Sequence, residues 1–302
     1  MKPLIVVIGA TGKQGGSVIN ALIESNQWTV RGLSRNLTSK ESQELISKGV
    51  DMVSCNIDSL DECSQAFKGA YGVFAMTNFW ECGSSKEYEQ GMNMVNAARQ
   101  QNIQHFIWSS LPDTVAISNG KLDLPHYMMK ARIESYIRSQ QNPPLFRYTT
   151  FIHVGFYYQN FQTFFQPTAD FEFRVLLQPD ARLPLYDVRD TGAVVAQCFK
   201  HPDQWGQENV IPIVAQRLTM DEICEIIRRV TGNDKVRYTP LTYDQCAGQA
   251  KETLDNMRWY NEYGNVEERH PEKTKEVYDK MKTLEEWIQE TKWLMNENKS
   301  VH

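Results

Sequence analysis

The sequence predicts an α/β fold built on a doubly wound parallel sheet and followed by a small α+β lobe. Two observations lead to this prediction. Short apolar runs alternate with stretches of helical periodicity through the first half of the chain. This alternation is expected when successive βα units form a parallel sheet. That alternation loosens beyond residue 152. We therefore expect a first domain over residues 1–152 and, over residues 153–302, a smaller lobe that is interleaved with it and closes the cleft.

Six apolar runs supply the predicted strands of the first domain. Leu4–Ile8 is apolar throughout, which is typical of a strand buried on both faces. Right-handed crossovers between such strands place helices on both sides of the sheet. Strands are predicted at Leu4–Ile8, Thr29–Leu33, Val50–Cys55, Tyr71–Met76, His105–Ser109 and Phe146–Phe151.

Helical periodicity separates these runs. In the first such segment Val18, Ile19 and Leu22 recur at the spacing of one helix face. Helices are predicted at Gly16–Ser25, Ser39–Lys48, Leu60–Phe67, Lys86–Gln101 and His126–Gln140.

The second half of the chain gives weaker signals. Thr219 and Glu222 form a capping-box pattern at the start of a helix. Phe171–Pro184 is predicted to be a hairpin or an irregular strand region, and Lys273–Lys292 a single amphipathic helix. Further elements are predicted at Asp190–Lys200 (helix), Asn209–Ile213 (strand) and Thr219–Thr231 (helix).

Composition excludes several classes of protein. With 302 residues, of which 41% are hydrophobic, the chain can bury a substantial core. A net charge of −5 argues against chain-wide attraction to nucleic acid, and no apolar segment reaches membrane length. The six cysteines show no CxxC pair and no metal-like spacing. We expect reduced thiols, no metal, no membrane or direct nucleic-acid partner, and a cytoplasmic location, with nuclear entry left open.

A glycine-rich loop carries the strongest functional signal. Gly9-Ala10-Thr11-Gly12-Lys13-Gln14-Gly15-Gly16 follows the first strand and opens a helix. Gly9 permits a tight turn, Gly12 lets the backbone approach a pyrophosphate, and Gly15 lets helix and sheet pack closely. The helix N-terminus then offers N–H groups and a positive dipole to the phosphates. This context predicts a dinucleotide-binding Rossmann domain, the alternative being a tight structural turn. The expected cofactor contacts here are Gly9, Thr11, Gly12, Lys13, Gln14 and Gly15.

The end of the second strand indicates which dinucleotide is bound. An acidic residue there favours NAD, whereas an arginine accommodates the 2′-phosphate of NADP. The segment reads Arg31-Gly32-Leu33-Ser34-Arg35-Asn36, with no acid before Glu41. We therefore predict NADP(H), with Ser34 and Arg35 at the 2′-phosphate, because a guanidinium can pair with it in a forked geometry. Lys40 and Arg31 are weaker candidates, and Asn56 and Asp58 are expected either to meet the adenine edge or to cap a loop.

Several of these segments resemble the NmrA-like family of atypical short-chain dehydrogenase/reductases, and within it the human redox-sensor subgroup. The segments that carry the resemblance are Gly9–Gly16, Arg35, Thr77-Asn78-Phe79-Trp80-Glu81, Phe156–Phe161 and Tyr186–Gly192. The resemblance covers nearly the whole chain. It implies NADP(H) binding and, in several members, regulation through the NADPH/NADP+ ratio. On this resemblance, further cofactor contacts are expected from Thr77, Asn78, Phe79, Lys130, Phe156, Tyr157 and Asn160.

The catalytic pair of the short-chain dehydrogenases is incomplete. Those enzymes carry Tyr-x-x-x-Lys on the helix after strand five, which puts the phenol and the ammonium on one helix face. Here the helix reads His126-Tyr127-Met128-Met129-Lys130, so the residue four before Lys130 is His126. Tyr127 is displaced by about 100° around the helix. Lys130 is expected to be a cofactor ligand or a surface lysine, and His126 a proton donor or a packing residue; Ser109 and Ser110 stand where the family has its serine.

Two functions remain open at this point. The first is a redox sensor that changes its affinity for a regulatory protein partner, with transcriptional regulation inferred by family analogy alone. The second is an NADPH-dependent reductase of a small aromatic or carbonyl substrate, a quinone or an enone, or an enzyme of a specialised biosynthetic step, using Lys130. The missing tyrosine favours the first. The aromatic cluster around Phe156–Phe165 is expected to line a pocket or to pack as core, and Cys82 is the thiol to examine for redox sensitivity.

Overall fold

The computed structural model describes residues 2–140, 142–264 and 269–295. The chain forms two compact units. The first consists of Met1–Asp113, Pro125–Val154 and Arg189–Ile211, and the second of Thr114–Leu124, Gly155–Val188 and Pro212–His302. The chain therefore passes between the units more than once. The predicted division at residue 152, with a lobe that closes the cleft, stays a prediction.

A seven-stranded sheet forms the centre of the first unit, with the order β3-β2-β1-β4-β5-β6-β10. Every neighbouring pair from β3 to β6 is parallel. The strands are β1 Leu4–Val7, β2 Thr29–Ser34, β3 Asp51–Ser54, β4 Gly72–Ala75, β5 His105–Ser110, β6 Tyr148–Val154 and β10 Gln207–Ile213. The predicted α/β class with a mostly parallel, doubly wound sheet is confirmed.

The helices between these strands agree with the predicted periodicity, with one difference. In the first unit they are α1 Lys13–Ser25, α2 Lys40–Ser47, α3 Leu60–Phe67, α4 Phe79–Gln100, α6 Pro125–Ser139, α7 Thr191–Lys200 and α8 Pro202–Trp205. Helix α4 begins seven residues before the predicted start at Lys86, and it is broken at Gly83, where φ is 73° and ψ is 176°. The short turn before Gly83 has its own direction, so it does not share the periodicity of the rest of the helix.

The core of the first unit lies between the sheet and its helices. Val6, Val73 and Phe106, one from each of three adjacent strands, are fully buried in it. Trp108 at the end of the same layer is also fully buried. This apolar layer fixes the carboxyl ends of β1, β4 and β5 relative to one another, and those ends carry the candidate site.

The second unit contains two small sheets. Its strands are β7 Phe156–Tyr157, β8 Glu172–Val175, β9 Leu183–Tyr186, β11 Gln216–Leu218 and β12 Arg237–Pro240. Strand β8 pairs in parallel with β12, whereas β9 lies between β7 and β11. The hairpin considered for Phe171–Pro184 is therefore wrong, because each of its strands pairs with a distant segment rather than with the other.

The helices of the second unit are α5 Thr114–Ile117, α9 Met220–Thr231, α10 Lys251–Tyr263, α11 Pro271–Val277 and α12 Leu284–Thr291. The capping box between Thr219 and Glu222 is confirmed. The single helix predicted over Lys273–Lys292 is wrong. A second capping box, formed by Thr283 and Glu286, starts α12 as a separate helix, because it satisfies the N–H groups that a new helix N-terminus exposes.

Throughout the described ranges, no helix has both the length and the apolar character that crossing a membrane requires.

Candidate dinucleotide-binding site

The glycine loop lies at the carboxyl end of β1, as predicted. Gly9 has a φ of 68°, a region that residues with a side chain rarely adopt. A Cβ on Gly15 would lie 2.1 Å from the carbonyl oxygen of Gly9, so helix α1 packs against the turn at a distance that only glycine allows. These two positions set the shape of the loop.

The start of α1 has the features that a pyrophosphate needs. Gly12 is the N-cap residue, its φ of −88° is ordinary, and among the residues that the structure describes no side chain caps the helix there. The first turn also contains no acidic residue. Thr11, Gly12 and Lys13 are exposed. A helix N-terminus with accessible N–H groups and no competing carboxylate fits an anionic phosphate.

Gln14 connects this loop to the neighbouring strand end. Its Oε1 accepts a hydrogen bond of 2.9 Å from the hydroxyl of Ser109, the last residue but one of β5. Ser109 occupies the position of the family's serine, and its hydroxyl is directed to the loop.

Arg35 follows β2 directly and is paired with an acidic residue that the sequence analysis did not single out. Its Nη2 lies 3.0 Å from Oε2 of Glu81 in the first turn of α4, and both side chains are more than half exposed. Ser34 is committed to the adjoining turn, because its Oγ accepts the backbone N–H of Asn36. Arg35 is thus exposed at the end of β2, where the sequence predicts contact with a 2′-phosphate, and it is paired with Glu81.

The two weaker candidates make other contacts. Arg31 pairs with Asp51 at 2.8 Å and also donates to the carbonyl of Ala66, so it ties β2 to β3 and to the end of α3. Lys40 is highly exposed, and its Nζ lies 3.9 Å from a carboxylate oxygen of Glu44. Of the three cations considered for the 2′-phosphate, Arg35 remains the strongest candidate.

Asn56 and Asp58 shape the loop after β3. Oδ1 of Asn56 accepts the backbone N–H of Asp58, which favours the loop-cap alternative for Asn56. Asp58 accepts from Lys86 and from Gln90, each at 2.7 Å. These hydrogen bonds lower the pKa of the Asp58 carboxyl, so it is ionised and fixed to α4.

Lys130 lies in a buried cluster with Thr77 and Glu87. Its Nζ is 2.8 Å from each of three oxygens, namely the carbonyl and the hydroxyl of Thr77 and Oε1 of Glu87. Thr77 also donates its hydroxyl to the same Glu87 oxygen at 2.7 Å. An ammonium has three hydrogens, so these acceptors use all of its donors. The surface alternative for Lys130 is wrong, because its side chain is only 12% exposed and that of Glu87 not at all.

The charges of Lys130 and Glu87 are buried together. Burial lowers the pKa of Lys130, and the adjacent carboxylate of Glu87 opposes that shift. The second carboxylate oxygen of Glu87, Oε2, is buried and has no hydrogen-bond partner among the described residues. The ion pair joins α6 to α4, and the hydrogen bonds of Lys130 to Thr77 link it to the end of β4.

His126 packs in an aromatic group rather than against Lys130. Its ring lies 5.8 Å from the ring of Phe79 and 5.2 Å from that of Trp80. Trp80 is 70% exposed, whereas His126 is buried. Tyr127 is buried as well. The carboxyl edge of the sheet therefore presents the exposed indole of Trp80, packed against the ring of His126. Trp80 lies in the first turn of α4, for which Asn78 is the N-cap residue.

Cys82 does not have the character of a reactive thiol. Burial raises its pKa, and its Sγ donates to the carbonyl of Asn78 at 3.2 Å. A protonated thiol is a poor nucleophile.

Phe156, Tyr157 and Asn160 belong to the second unit. Phe156 is buried against Phe161 and Phe165, which favours core packing for most of the aromatic cluster. The carbonyl of Asn160 accepts from the backbone N–H of Thr163. The contacts of all three with the cofactor stay predictions.

The sequence analysis missed the two acidic residues of the site. Glu81 is part of the Thr77–Glu81 segment that carries the family resemblance. The resemblance places it near the site, but nothing in the sequence indicates that it pairs with Arg35. Glu87 had no signal, because it lies 43 residues before Lys130 in the chain, and no local pattern relates the two.

Comparison with known proteins decides the family. The NmrA-like family model matches residues 1–288. The chain belongs to the NmrA-like family.

Two relatives within this family are similar over most of their length. An NmrA-like family domain-containing protein of Dictyostelium discoideum is 32% identical over 276 residues, which span 87% of this chain and 89% of the relative. An NmrA-like family domain-containing oxidoreductase of Aspergillus hancockii is 33% identical over 257 residues, which span 79% and 75% of the two chains.

The solved structures agree with the fold. NmrA, a negative transcriptional regulator solved in complex with NAD, superposes with a TM-score of 0.80 and 22% identity, covering 96% of this chain and 95% of NmrA. The same regulator in complex with NADP gives a TM-score of 0.77, with the same identity and coverage.

Proposed function

We propose that this NmrA-like protein binds NADP(H) in its first unit and acts as a redox sensor that responds to the NADPH/NADP+ ratio. The glycine loop, the open N-terminus of α1 and the exposed Arg35 support binding of the dinucleotide. The crystal structures of NmrA with NAD and with NADP, and the family itself, support the same cofactor class. The expected contacts are those named in the sequence analysis, which Lys130 can join only by releasing one of its bonds to Thr77 or Glu87.

The observation that carries the sensor proposal is the state of Lys130. A reductase of the short-chain type needs its lysine to hold the nicotinamide ribose and to lower the pKa of a tyrosine. Here the tyrosine is replaced by His126, and all three hydrogens of the ammonium are donated to Thr77 and Glu87. The glycine loop is retained, whereas the catalytic tyrosine is missing and the lysine is engaged by oxygens of the protein. A regulatory protein partner would then bind the loops around the cofactor, with an affinity that depends on whether NADPH or NADP+ is bound.

A reductase is the second candidate, and two observations favour it. The Aspergillus hancockii relative, 33% identical, is named an oxidoreductase. In addition, the exposed ring of Trp80 lies at the carboxyl edge of the sheet, where ligands of open α/β folds bind. A flat aromatic or carbonyl substrate would stack there, and Lys130 would have to leave Glu87 to take part.

Two measurements on the purified chain separate these functions. Calorimetric titration with NADP+, NADPH, NAD+ and NADH at fixed salt should show tight NADP(H) binding and a difference between NADPH and NADP+, because a sensor must distinguish its two ligands. NADPH consumption with a panel of aldehydes, quinones and enones should remain at background. Sustained turnover would establish the reductase instead, and no binding of any dinucleotide would refute both.

A further inference from the structure

The ion pair between Arg35 and Glu81 joins the two strands that flank β1. Arg35 follows β2, Glu81 lies just after β4, and the sheet order places β1 between those strands. The glycine loop leaves the carboxyl end of β1. The pair thus crosses the edge of the sheet at the loop where the adenosine half of a dinucleotide is expected.

Arg35 is the cation proposed to recognise the 2′-phosphate. Arg31 is engaged with Asp51 and the carbonyl of Ala66, and Lys40 projects near Glu44. A 2′-phosphate must therefore share the guanidinium of Arg35 with Glu81 or displace Glu81 from it. In both cases a carboxylate lies beside a phosphate that is itself negatively charged, and like charges at short range repel.

The exposure of the pair sets the size of the effect. Both side chains are more than half exposed, so water and salt screen the interaction. Repulsion between a carboxylate and a phosphate dianion about 6 Å apart in water corresponds to roughly a threefold to tenfold change in affinity. Such a change is large enough to set a cofactor preference and small enough to be reversed by one substitution.

We propose that Glu81 is a specificity-determining residue that holds Arg35 in the ligand-free protein and competes with the 2′-phosphate for it. Glu81 lowers the affinity for NADP(H) while leaving that for NAD(H) unchanged, so it narrows the difference between the two cofactors. This proposal rests on the proposed binding of NADP(H), and it adds the residue that limits the preference. A neutral residue at position 81 should give a more selective NADP(H) protein.

The test uses the adenosine fragments of the two cofactors. Adenosine 2′,5′-bisphosphate carries the 2′-phosphate without the nicotinamide, and 5′-AMP lacks that phosphate. Their dissociation constants, and those of NADP+ and NAD+, are measured calorimetrically for the wild type, for Glu81→Gln and for Glu89→Gln. Glu89 is an exposed carboxylate on the same helix beyond the Gly83 break, so its substitution controls for the change in net charge.

Glu81→Gln is expected to tighten adenosine 2′,5′-bisphosphate and NADP+ by about threefold to tenfold, to leave 5′-AMP and NAD+ within twofold, and to differ clearly from Glu89→Gln. An equal gain in Glu89→Gln, or an equal change for ligands with and without the 2′-phosphate, overturns the proposal. Weaker NAD+ binding in Glu81→Gln also overturns it, because Glu81 would then be a ligand of the ribose hydroxyls. Failure of the wild type to bind NADP+ would instead refute the proposed function.

Discussion

The guanidinium of Arg35 and the ammonium of Lys130 differ in their exposure and in how many protein oxygens they contact. Arg35 is exposed and paired with the carboxylate of Glu81, so a ligand has, among the described residues, only that carboxylate to compete with for the guanidinium. Lys130 is enclosed by oxygens of the protein itself, and a ligand must replace those oxygens before it can use the charge. The first arrangement suits recognition, and the second stabilises the chain around the site.

Replacement of Arg35 should change cofactor preference. Arg35→Ala is expected to weaken NADP+ and NADPH by about tenfold to a hundredfold, because it removes charge-assisted hydrogen bonds worth about 1.5–3 kcal/mol. NAD+ and NADH should lose less than threefold. Calorimetric titration measures both, with Arg174→Ala, which alters an exposed arginine of the second unit, as the control. Equal losses for all four dinucleotides would contradict the assignment of Arg35 to the 2′-phosphate.

The buried pair of Lys130 and Glu87 should be strongly coupled in stability. Lys130→Met leaves a buried carboxylate without its cation, and Glu87→Gln leaves a buried ammonium without its anion. Each is expected to reduce the free energy of unfolding by about 3–5 kcal/mol. The combined Lys130→Met/Glu87→Gln variant should lose much less than the sum of the two, because no unpaired charge remains. Urea denaturation measures all three, and additive losses would show that the pair is not coupled.

Two glycines of the loop should respond differently to an added side chain. Gly12 has an ordinary φ of −88°, and a Cβ there would lie 3.2 Å from the carbonyl oxygen of Gly9. Gly12→Val should therefore fold but lose binding of NADP(H) and NAD(H) alike, because the side chain occupies the place of the pyrophosphate. Gly15→Ala should lower the melting temperature, because its Cβ would overlap that same oxygen. Thermal melts and titrations together test this contrast, and a Gly12→Val protein that still binds NADP+ would place the phosphates elsewhere.

At the scale of elements, the sequence predicted what depends on neighbours in the chain. Strand and helix alternation, the glycine turn and the Thr219 capping box are local, so periodicity and residue type suffice to locate them. The pairing of β8 with β12 joins segments that begin at Glu172 and Arg237, and no local pattern contains that information. The candidate site divides in the same way. Arg35 and Lys130 follow from their places in motifs, whereas their partners Glu81 and Glu87 depend on tertiary contacts.

The pairing of β5 with β6 contains an ionisable group that should make stability depend on pH. His105, the first residue of β5, is fully buried, and its Nε2 lies 2.9 Å from the hydroxyl of Thr150 on β6. Burial lowers the pKa of His105 to about 3. Because this pKa is depressed in the folded state, the unfolded chain binds the extra proton first as the pH falls below about 6.5.

The contribution of His105 is therefore complete above the unfolded pKa and is lost progressively as the pH falls from about 6.5 towards 3. His105→Gln, which supplies an amide N–H donor in place of the imidazole, should remove a slope of about 1.4 kcal/mol per pH unit from the free energy of unfolding between pH 6 and 4. His201→Gln alters an exposed histidine and should retain that slope. Denaturant titrations across this range decide the matter. A titration of the His105 ring near its ordinary pKa, followed by NMR, would contradict the prediction.

At the scale of the whole molecule, we expect both units to respond to the cofactor. Saturating NADP+ should slow hydrogen exchange in Gly9–Gly16 and Phe79–Cys82 of the first unit, because bound ligand stabilises the folded state of its site. The predicted closure of the cleft by residues 153–302 requires slower exchange at Phe156–Asn160 as well. Gly12→Val provides the control without binding. Unchanged exchange at Phe156–Asn160 would contradict the predicted closure, and a response that differs between NADPH and NADP+ would support a sensor.

The break in α4 at Gly83, where φ is 73° and ψ is 176°, makes the turn before it separable from the helix that follows. Phe79, Trp80, Glu81 and Cys82 lie before the break. Glu87, which pairs with Lys130, lies after it. Substitutions in residues 79–82 can therefore accumulate without disturbing the buried pair. If Glu81 limits cofactor preference as proposed, exchange of residues 79–82 should change that preference while the helix beyond Gly83 keeps its fold.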